Sequence, residues 1–403
     1  MNHLLASAFL SLRTNKLRTV LTALGVVMGV ASVVLMVSIV EGARRKVIGE
    51  FENIGANLIF VVYQPEQRPL RQRGFSPFAD FQGLTLDDAR HIERTCDQVV
   101  DLSPEMRLPL LVRSASAERT FPVMGVTEQA RRVFTINVVQ GRGLTRLDVE
   151  AWARVAVLGQ EVADELFPGL DPVGKEVSIR GLRLRVIGVL EKKGRALGEN
   201  RDNTVYIPLT VMHRCFLGRE IVASIVAKAA RPETTAEAAD QIWAALARRH
   251  HNLKDFVVDT QDNLLTSIGR ILNLFLYVLG GIGGLSLLTG GIGIMNIMLV
   301  SVTERTREIG IRRAVGAKAS AIFAQFLLEA VALSGTGGLV GLGMGFGLAR
   351  LVNQVMGDRL PTFTPLWAGA LAFVCASSVG IFFGSYPASR AAKLDPIEAL
   401  RWE

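Results

Sequence analysis

Four stretches of the chain carry no charged side chain at all: residues 19–40, 271–303, 330–349 and 360–389. A helix needs about 20 apolar residues to cross the hydrocarbon core of a bilayer. Each stretch therefore predicts a membrane-spanning helix, and four of them exclude a soluble protein with buried core helices. Residues 41–270 instead have the mixed composition of a globular domain. The predicted fold class is a membrane protein with four transmembrane α-helices and a large α+β extracytoplasmic domain inserted between helices 1 and 2. The order along the chain is an interfacial segment over 1–18, a first span over 19–40, the extracytoplasmic domain over 41–270 and a second span with a stalk over 271–300. A cytoplasmic segment over 301–320, a third span over 321–349, a short loop over 350–365, a fourth span over 366–386 and a tail over 387–403 complete it.

Finer periodicities fill in this frame. Leu4, Leu5, Ala8, Phe9 and Leu12 form one helical stripe ahead of Arg13, Lys16 and Arg18, which predicts an amphipathic helix on the inner leaflet. Within the large domain, 57–62, 119–126, 154–159, 204–208 and 221–229 read as strands, and 176–190 as two strands about a turn at Gly181. Residues 85–94 read as a helix with Thr85 as N-cap and Asp87 and Asp88 in the first turn; 161–167 and 234–250 read as further helices. Strands interleaved with helices predict an α+β domain with two lobes, and 64–83 reads as a loop. The second charge-free run, at 33 residues, would make a helix of about 50 Å against a core of about 30 Å, so it either tilts or projects from the bilayer.

Charge then sets the orientation. Arg13, Lys16 and Arg18 precede the first span; Arg305, Arg307, Arg312, Arg313 and Lys318 separate the second from the third; Arg390, Lys393 and Arg401 follow the fourth. Only Arg350 and Arg359 lie between spans three and four. The positive-inside rule places both termini and the 301–320 segment in the cytoplasm, in the inner membrane. The net charge of +8 partly reflects this topology, and no nucleic-acid partner is needed to explain it.

Candidate chemistry is sparse. Gly169–Lys175 has the spacing of a phosphate-binding loop, but Glu176 stands where such a loop needs a Ser or Thr for magnesium, and the order is helix then strand rather than the reverse. The loop is structural, no other segment offers a nucleotide site, and no enzyme activity is expected of the chain. The His250-His251 pair has no acidic or cysteine company in sequence and reads as solvated surface, so no metal site is expected. Cys96 and Cys215 fall where a disulfide is permitted, and sequence leaves that pairing open. No G-x-S-x-G nucleophile elbow is present, and serines in the spans read as bonds between helices. Glu329 reads as lying at the cytoplasmic interface. The spans are glycine-rich, with Gly25 and Gly29, Gly280 and Gly284, and Gly337, Gly341 and Gly345 at the four-residue spacing that lets helices approach closely.

The segment SVTERTREIGIRRAVGAKAS, 301–320, reads as a cytoplasmic helix with Glu304 reaching Arg307 or Glu308 reaching Arg312, ended by Gly316. Physics alone leaves two readings open, a solvated connector or a docking element for a cytoplasmic partner.

Here a resemblance enters. MNIMLVSVTERTREIGIRRAVGAK resembles the segment after the second span of MacB-type ABC transporter permeases, of the FtsX-like superfamily. SLRTNKLRTVLTALGVVMGVASVV, ELFPGLDPVGKEVSIRGLRLRVIGVL and YPASRAAKLDPIEALR resemble, in order, the N-terminal helix and first span, the middle of the periplasmic domain and the C-terminal tail of that family. The resemblance covers nearly the whole chain. MacB itself carries a fused N-terminal ATPase domain; this sequence starts at the interfacial helix and looks like the split form with a separate ABC ATPase subunit, on which ATP and Mg would be bound. The resemblance further implies a dimer of permease subunits through the glycine faces of spans one and two, and docking of the ATPase by Glu304, Arg305, Arg307, Glu308, Arg312 and Arg313. ATP-driven movement would pass through the long helices to the periplasmic domains (mechanotransmission). In members with two membranes, a periplasmic adaptor and an outer-membrane channel receive the cargo. Efflux of antibiotics, peptides or similar amphiphiles is the implied activity. Lipoprotein release, and a non-transporting relay that activates a cell-wall hydrolase, are its alternatives.

Overall fold

The computed structural model describes residues 16–64, 83–196, 199–251 and 255–400. The interfacial helix expected over 1–18 and the loop expected over 64–83 fall almost wholly outside these residues, as does Arg401.

In chain order the elements are α1 (Lys16–Ile54), β1 (Leu58–Tyr63), β2 (Leu84–Thr85), α2 (Leu86–Thr95), β3 (Val99–Arg113), β4 (Glu118–Val126), α3 (Ala130–Val133), β5 (Val138–Gly141) and α4 (Arg146–Glu150). There follow β6 (Val155–Leu158), α5 (Gln160–Leu166), β7 (Glu176–Ile179), β8 (Leu182–Leu190), β9 (Arg195–Ala196), β10 (Glu199–Asn200), β11 (Val205–Pro208) and α6 (Leu209–Met212). The chain continues with β12 (Ile221–Val222), β13 (Ser224–Ala229), α7 (Thr235–Arg249), β14 (Phe256–Thr260), α8 (Gln261–Glu304), α9 (Thr306–Ala314), α10 (Ala319–Met356), α11 (Leu366–Ala392) and α12 (Pro396–Leu400). Two compact units result, Val47–Ser267 and the residues on either side of it, and the divisions fall inside α1 and α8.

The inserted domain is one compact unit in which two sets of strands share one strand and one buried core. β14, β1, β13 and the first half of β3 form an antiparallel sheet. The second half of β3 pairs in turn with β4, then β11, β6, β8 and β7, and β7 pairs back onto β3. That circuit is a closed six-stranded barrel. Its interior is filled by inward-facing residues such as Val112, Phe121, Val123, Leu184, Val186 and Ile207, all buried. β3 carries Pro104 and Pro109, residues that disrupt a strand reading from sequence. Both lie where β3 is paired on one side only, to β13 at Pro104 and to β4 at Pro109, so the missing N–H costs no ladder bond.

The turn joining β7 to β8 takes left-handed backbone at both Arg180 (φ 49°) and Gly181 (φ 85°), the twist a two-residue hairpin needs. Upstream of β7, Lys175 N–H donates to the Pro172 carbonyl and Gly174 N–H to that of Val186. Residues 169–175 thus form a turn between α5 and β7.

Capping boxes start two helices. Asp88 and Asp148 each accept from the backbone N–H of a Thr three residues earlier, while Thr85 and Thr145 accept in return. His250 differs from its sequence reading. It is not solvated surface: Nδ1 lies 2.9 Å from Asp255 Oδ2 and Nε2 lies 3.4 Å from Asp88 Oδ2, while Arg249 Nε donates to Asp88 Oδ1 at 2.7 Å. The C-terminus of α7 is thereby fastened to the N-terminus of α2 and the entry to β14. Burial alone would raise the Asp88 carboxyl, but hydrogen bonds from Thr85 and Arg249 hold it below the ordinary carboxylate range.

The other unit is built from α10, α11 and the membrane-spanning parts of α1 and α8, four helices long and apolar enough to cross a bilayer. Helix α8 has 44 residues, about 66 Å at the usual rise. Close approach is bought by missing side chains. A Cβ on Gly25 would stand 2.8 Å from Gly290 Cα, and one on Gly29 2.8 Å from Leu287 Cγ, so α1 lies tightly on α8. Likewise Gly341 and Gly345 of α10 meet Val27, Val30 and Val34 of α1, and Gly337 is buried. Gly380 and Gly384 of α11, which the sequence reading passed over, meet Ser334 and Ala330 of α10. The loop before α11 clasps α1: Phe363 N–H donates to the Ser38 carbonyl at 2.9 Å, and the Arg45 guanidinium lies 3.3 Å from the Phe363 ring centre.

Hydroxyls in the spans depart from expectation. Ser32, Ser286, Thr289, Ser334 and Thr336 donate to carbonyls three or four residues back in their own helices, the bond nearest to hand inside an apolar medium. Ser38, 2.7 Å from Thr364 Oγ1, does reach across to the loop before α11. The cysteines Cys96, Cys215 and Cys375 are all free, Cys96 buried and Cys215 exposed.

Candidate functional site

The 301–320 segment is not one helix. α8 ends at Glu304, Arg305 leaves helical geometry (ψ 14°), α9 runs Thr306–Ala314, and Gly316 (φ 101°) turns the chain into α10. The break has a local cause. Thr306 Oγ1 donates to the carbonyls of Val302 (3.0 Å) and Thr303 (2.9 Å), competing with the backbone donors that would otherwise continue the helix. Gly316 supplies the left-handed residue after the helix that a side chain resists.

The resulting short helix has two faces. Thr306, Ile309 and Gly310 are buried, and Ile309 joins Met298, Val302, Ile322, Phe326 and Ala388 in one apolar cluster. The outward face bears Arg307, Ile311 and Val315; Ile311 is 49% and Val315 84% exposed. Ile311 near the end of α9 and Val315 just beyond it are thus two exposed aliphatics four residues apart. The C-terminal helix α12 packs against α9 and exposes Ile397.

The six charged candidates therefore separate. Arg307 is exposed, with no bonded partner among the described residues, and Glu304 is exposed as well. Glu308 and Arg312 pair at 2.5 Å, and Arg312 also donates to Gln325 of α10 at 3.0 Å. Arg305 turns inward to Glu329 of α10, with Nη1 3.4 Å from Oε2. Arg313 is half-buried, and its Nε has no hydrogen-bond partner among the described residues. Ile311, Val315 and Ile397 were not singled out from sequence, although an aliphatic pair at four-residue spacing in a charged segment was there to be read.

Of the glycines, Gly280 and Gly284 have open space around them, in contrast to Gly25 and Gly29. The first-span pair is used inside the chain because α1 is the helix that α8 and α10 both close upon. Among the described residues no cluster of His, Cys, Asp and Glu could hold a metal ion.

A domain of this kind between the first two of four helices long and apolar enough to cross a bilayer defines an integral membrane protein of a distinct class. Comparison with known proteins agrees. A family model described as a MacB-like periplasmic core domain matches residues 19–245, and one described as FtsX-like permease C-terminal matches residues 280–396. The chain belongs to the MacB-type permeases of the FtsX-like superfamily. It is 40% identical over 396 residues to the macrolide export ATP-binding/permease protein MacB of Rhodospirillum rubrum, covering 98% of this chain and 59% of that one. It is 38% identical over 407 residues to the protein of the same name from Marinobacter nauticus, covering 99% and 60%. The chain thus spans about 60% of the length of these relatives. The periplasmic region of MacB from Actinobacillus actinomycetemcomitans is 23% identical, with a TM-score of 0.45, over 54% of this chain and 95% of that one.

Proposed function

We propose that this chain is the permease subunit of an ABC transporter in the inner membrane, driven by a separate ATPase subunit that docks on the outward faces of α9 and α12. Both termini are cytoplasmic, the large domain is periplasmic, and two copies assemble through the open face of α8. The cargo is a macrolide-like or peptide amphiphile, in keeping with the relatives' names, which favour efflux over lipoprotein release or hydrolase activation. An adaptor and an outer-membrane channel receive it. ATP and Mg stay on the partner.

The observation that carries this reading is the exposed Arg307, Ile311 and Val315 on a helix whose opposite face is fixed in the apolar cluster. A rigidly backed helix with an exposed aliphatic and cationic face is suited to fill a partner's groove. Movement imposed there reaches α8, whose length exceeds the bilayer core of about 30 Å.

The test is co-reconstitution of the full chain in lipid nanodiscs with candidate ABC ATPase subunits from the same organism. The expected result is ATP hydrolysis that rises when the chain is present. The double variant R307A/I311A should lower binding at least about fivefold, as truncation of a central contact does. No binding by any candidate, or binding unaffected by the double variant, would remove α9 as the docking element.

A further inference from the structure

Gln325 and Glu329 are four residues apart and lie on one face of α10, opposite Arg305 at the break and Arg312 on α9. Across the gap Arg305 reaches Glu329 and Arg312 reaches Gln325, one turn before Glu329 on α10. The Glu329 side chain is only 9% exposed and that of Arg305 29%. Burying a carboxylate is costly unless a cation accompanies it; here Arg305 is the cation. The position of Arg305 matters as much as its charge. It is the residue at which α8 stops and from which α9 restarts.

We propose that Arg305 and Glu329, assisted by Arg312 and Gln325, form a polar clamp that positions α9 on α10, so that force applied to the outer face of α9 enters the third span instead of being absorbed at the break. The inference rests on the docking reading above. It assigns Arg305 and Arg312 to the inward, positioning side of the helix and leaves Arg307, Ile311 and Val315 to meet the partner. From α10 the displacement passes to α11, because Gly338, Gly380 and Gly384 bring those two helices into backbone-scale contact.

The experiment has two readouts on the full-length chain in nanodiscs. The first needs no ATPase. With the native cysteines replaced by serine, spin labels at I311C on α9 and L328C on α10, both exposed positions, report the distance between the helices. A narrow distribution is expected for the parent, a broadened one for R305A and for E329A, and a narrow one again for the exchange R305E/E329R. The second readout is ATP hydrolysis stimulated by the chain. R305A should retain ATPase binding within about twofold while stimulation falls about tenfold, and the exchange should recover most of it, the pattern of a pairwise coupling. If R305A leaves the distribution narrow, or the exchange behaves no better than the single variants in both readouts, the clamp is wrong. Failure of the parent chain to bind any ATPase would instead strike the docking reading, while the distance measurement still decides whether the clamp exists.

Discussion

Asp148 is an acid held by both charge and hydrogen bonds at the start of α4. The Arg142 guanidinium bonds both its oxygens, at 2.5 and 3.0 Å, and Thr145 adds side-chain and backbone donors, lowering its carboxyl to about 2 from an ordinary 3.8. Because the folded value is depressed, the stabilisation is complete above the unfolded value and is lost as pH falls from about 4 towards 2. The variant D148N should therefore be less stable than the parent by about 1–3 kcal/mol at neutral pH. The difference in melting temperature should shrink towards zero across that acid window. A difference that persists unchanged at pH 2 would mean that packing, and not charge, is what the substitution removed. Residue by residue, the sequence was legible where the signal is local. Thr85 with Asp88 announces a helix start, whereas His250 does not announce its partners, because Asp88 lies far away in the chain and meets it only after α7 docks on α2.

At the scale of elements, the spans were readable because absence of charge over twenty residues has few other meanings, and the hairpin at Gly181 because a left-handed turn selects its residues. β3 was not readable. Two prolines, Glu105 and Arg107 erase its alternation, and its tolerance of them depends on pairing partners from the far end of the domain. The break at Arg305 was hidden for a similar reason, since a Thr inside a helical pattern gives no sign that its hydroxyl will take the carbonyls. The α10–α11 contact makes a prediction at this scale. G380V would drive a side chain into Ser334 and the Ala330 carbonyl and should cost about 1–3 kcal/mol, the usual penalty of overpacking. G343V, placed in open space on α10, should leave the melting temperature in detergent unchanged. Equal effects of the two would mean that glycine is retained in these helices for flexibility and not for approach.

For the whole molecule, the glycines fall into two groups. Gly25, Gly29, Gly341 and Gly345 hold one copy together, whereas Gly280 and Gly284 face open space, where the proposed dimer would form. In a cysteine-free background, G284C should crosslink two copies in native membranes under mild oxidation, while G345C, packed on Val34, should not. Absence of any G284C dimer would move the assembly surface away from α8. The closed barrel was beyond sequence pattern alone, because it is settled by contacts between segments that share no local signal.

The place of β1 has a consequence for how the protein is made. Ile59 lies between Ala227 on one side and Thr260 on the other, so the strand LIFVVY leaves the ribosome well before either of its neighbours exists. At about 5–20 residues per second, it waits on the order of ten to thirty seconds just beyond a first span that has already entered the bilayer. An apolar strand with no charge and no proline is a hazard while unpaired. Synthesis, more than final stability, sets the time during which this strand is open to mispairing.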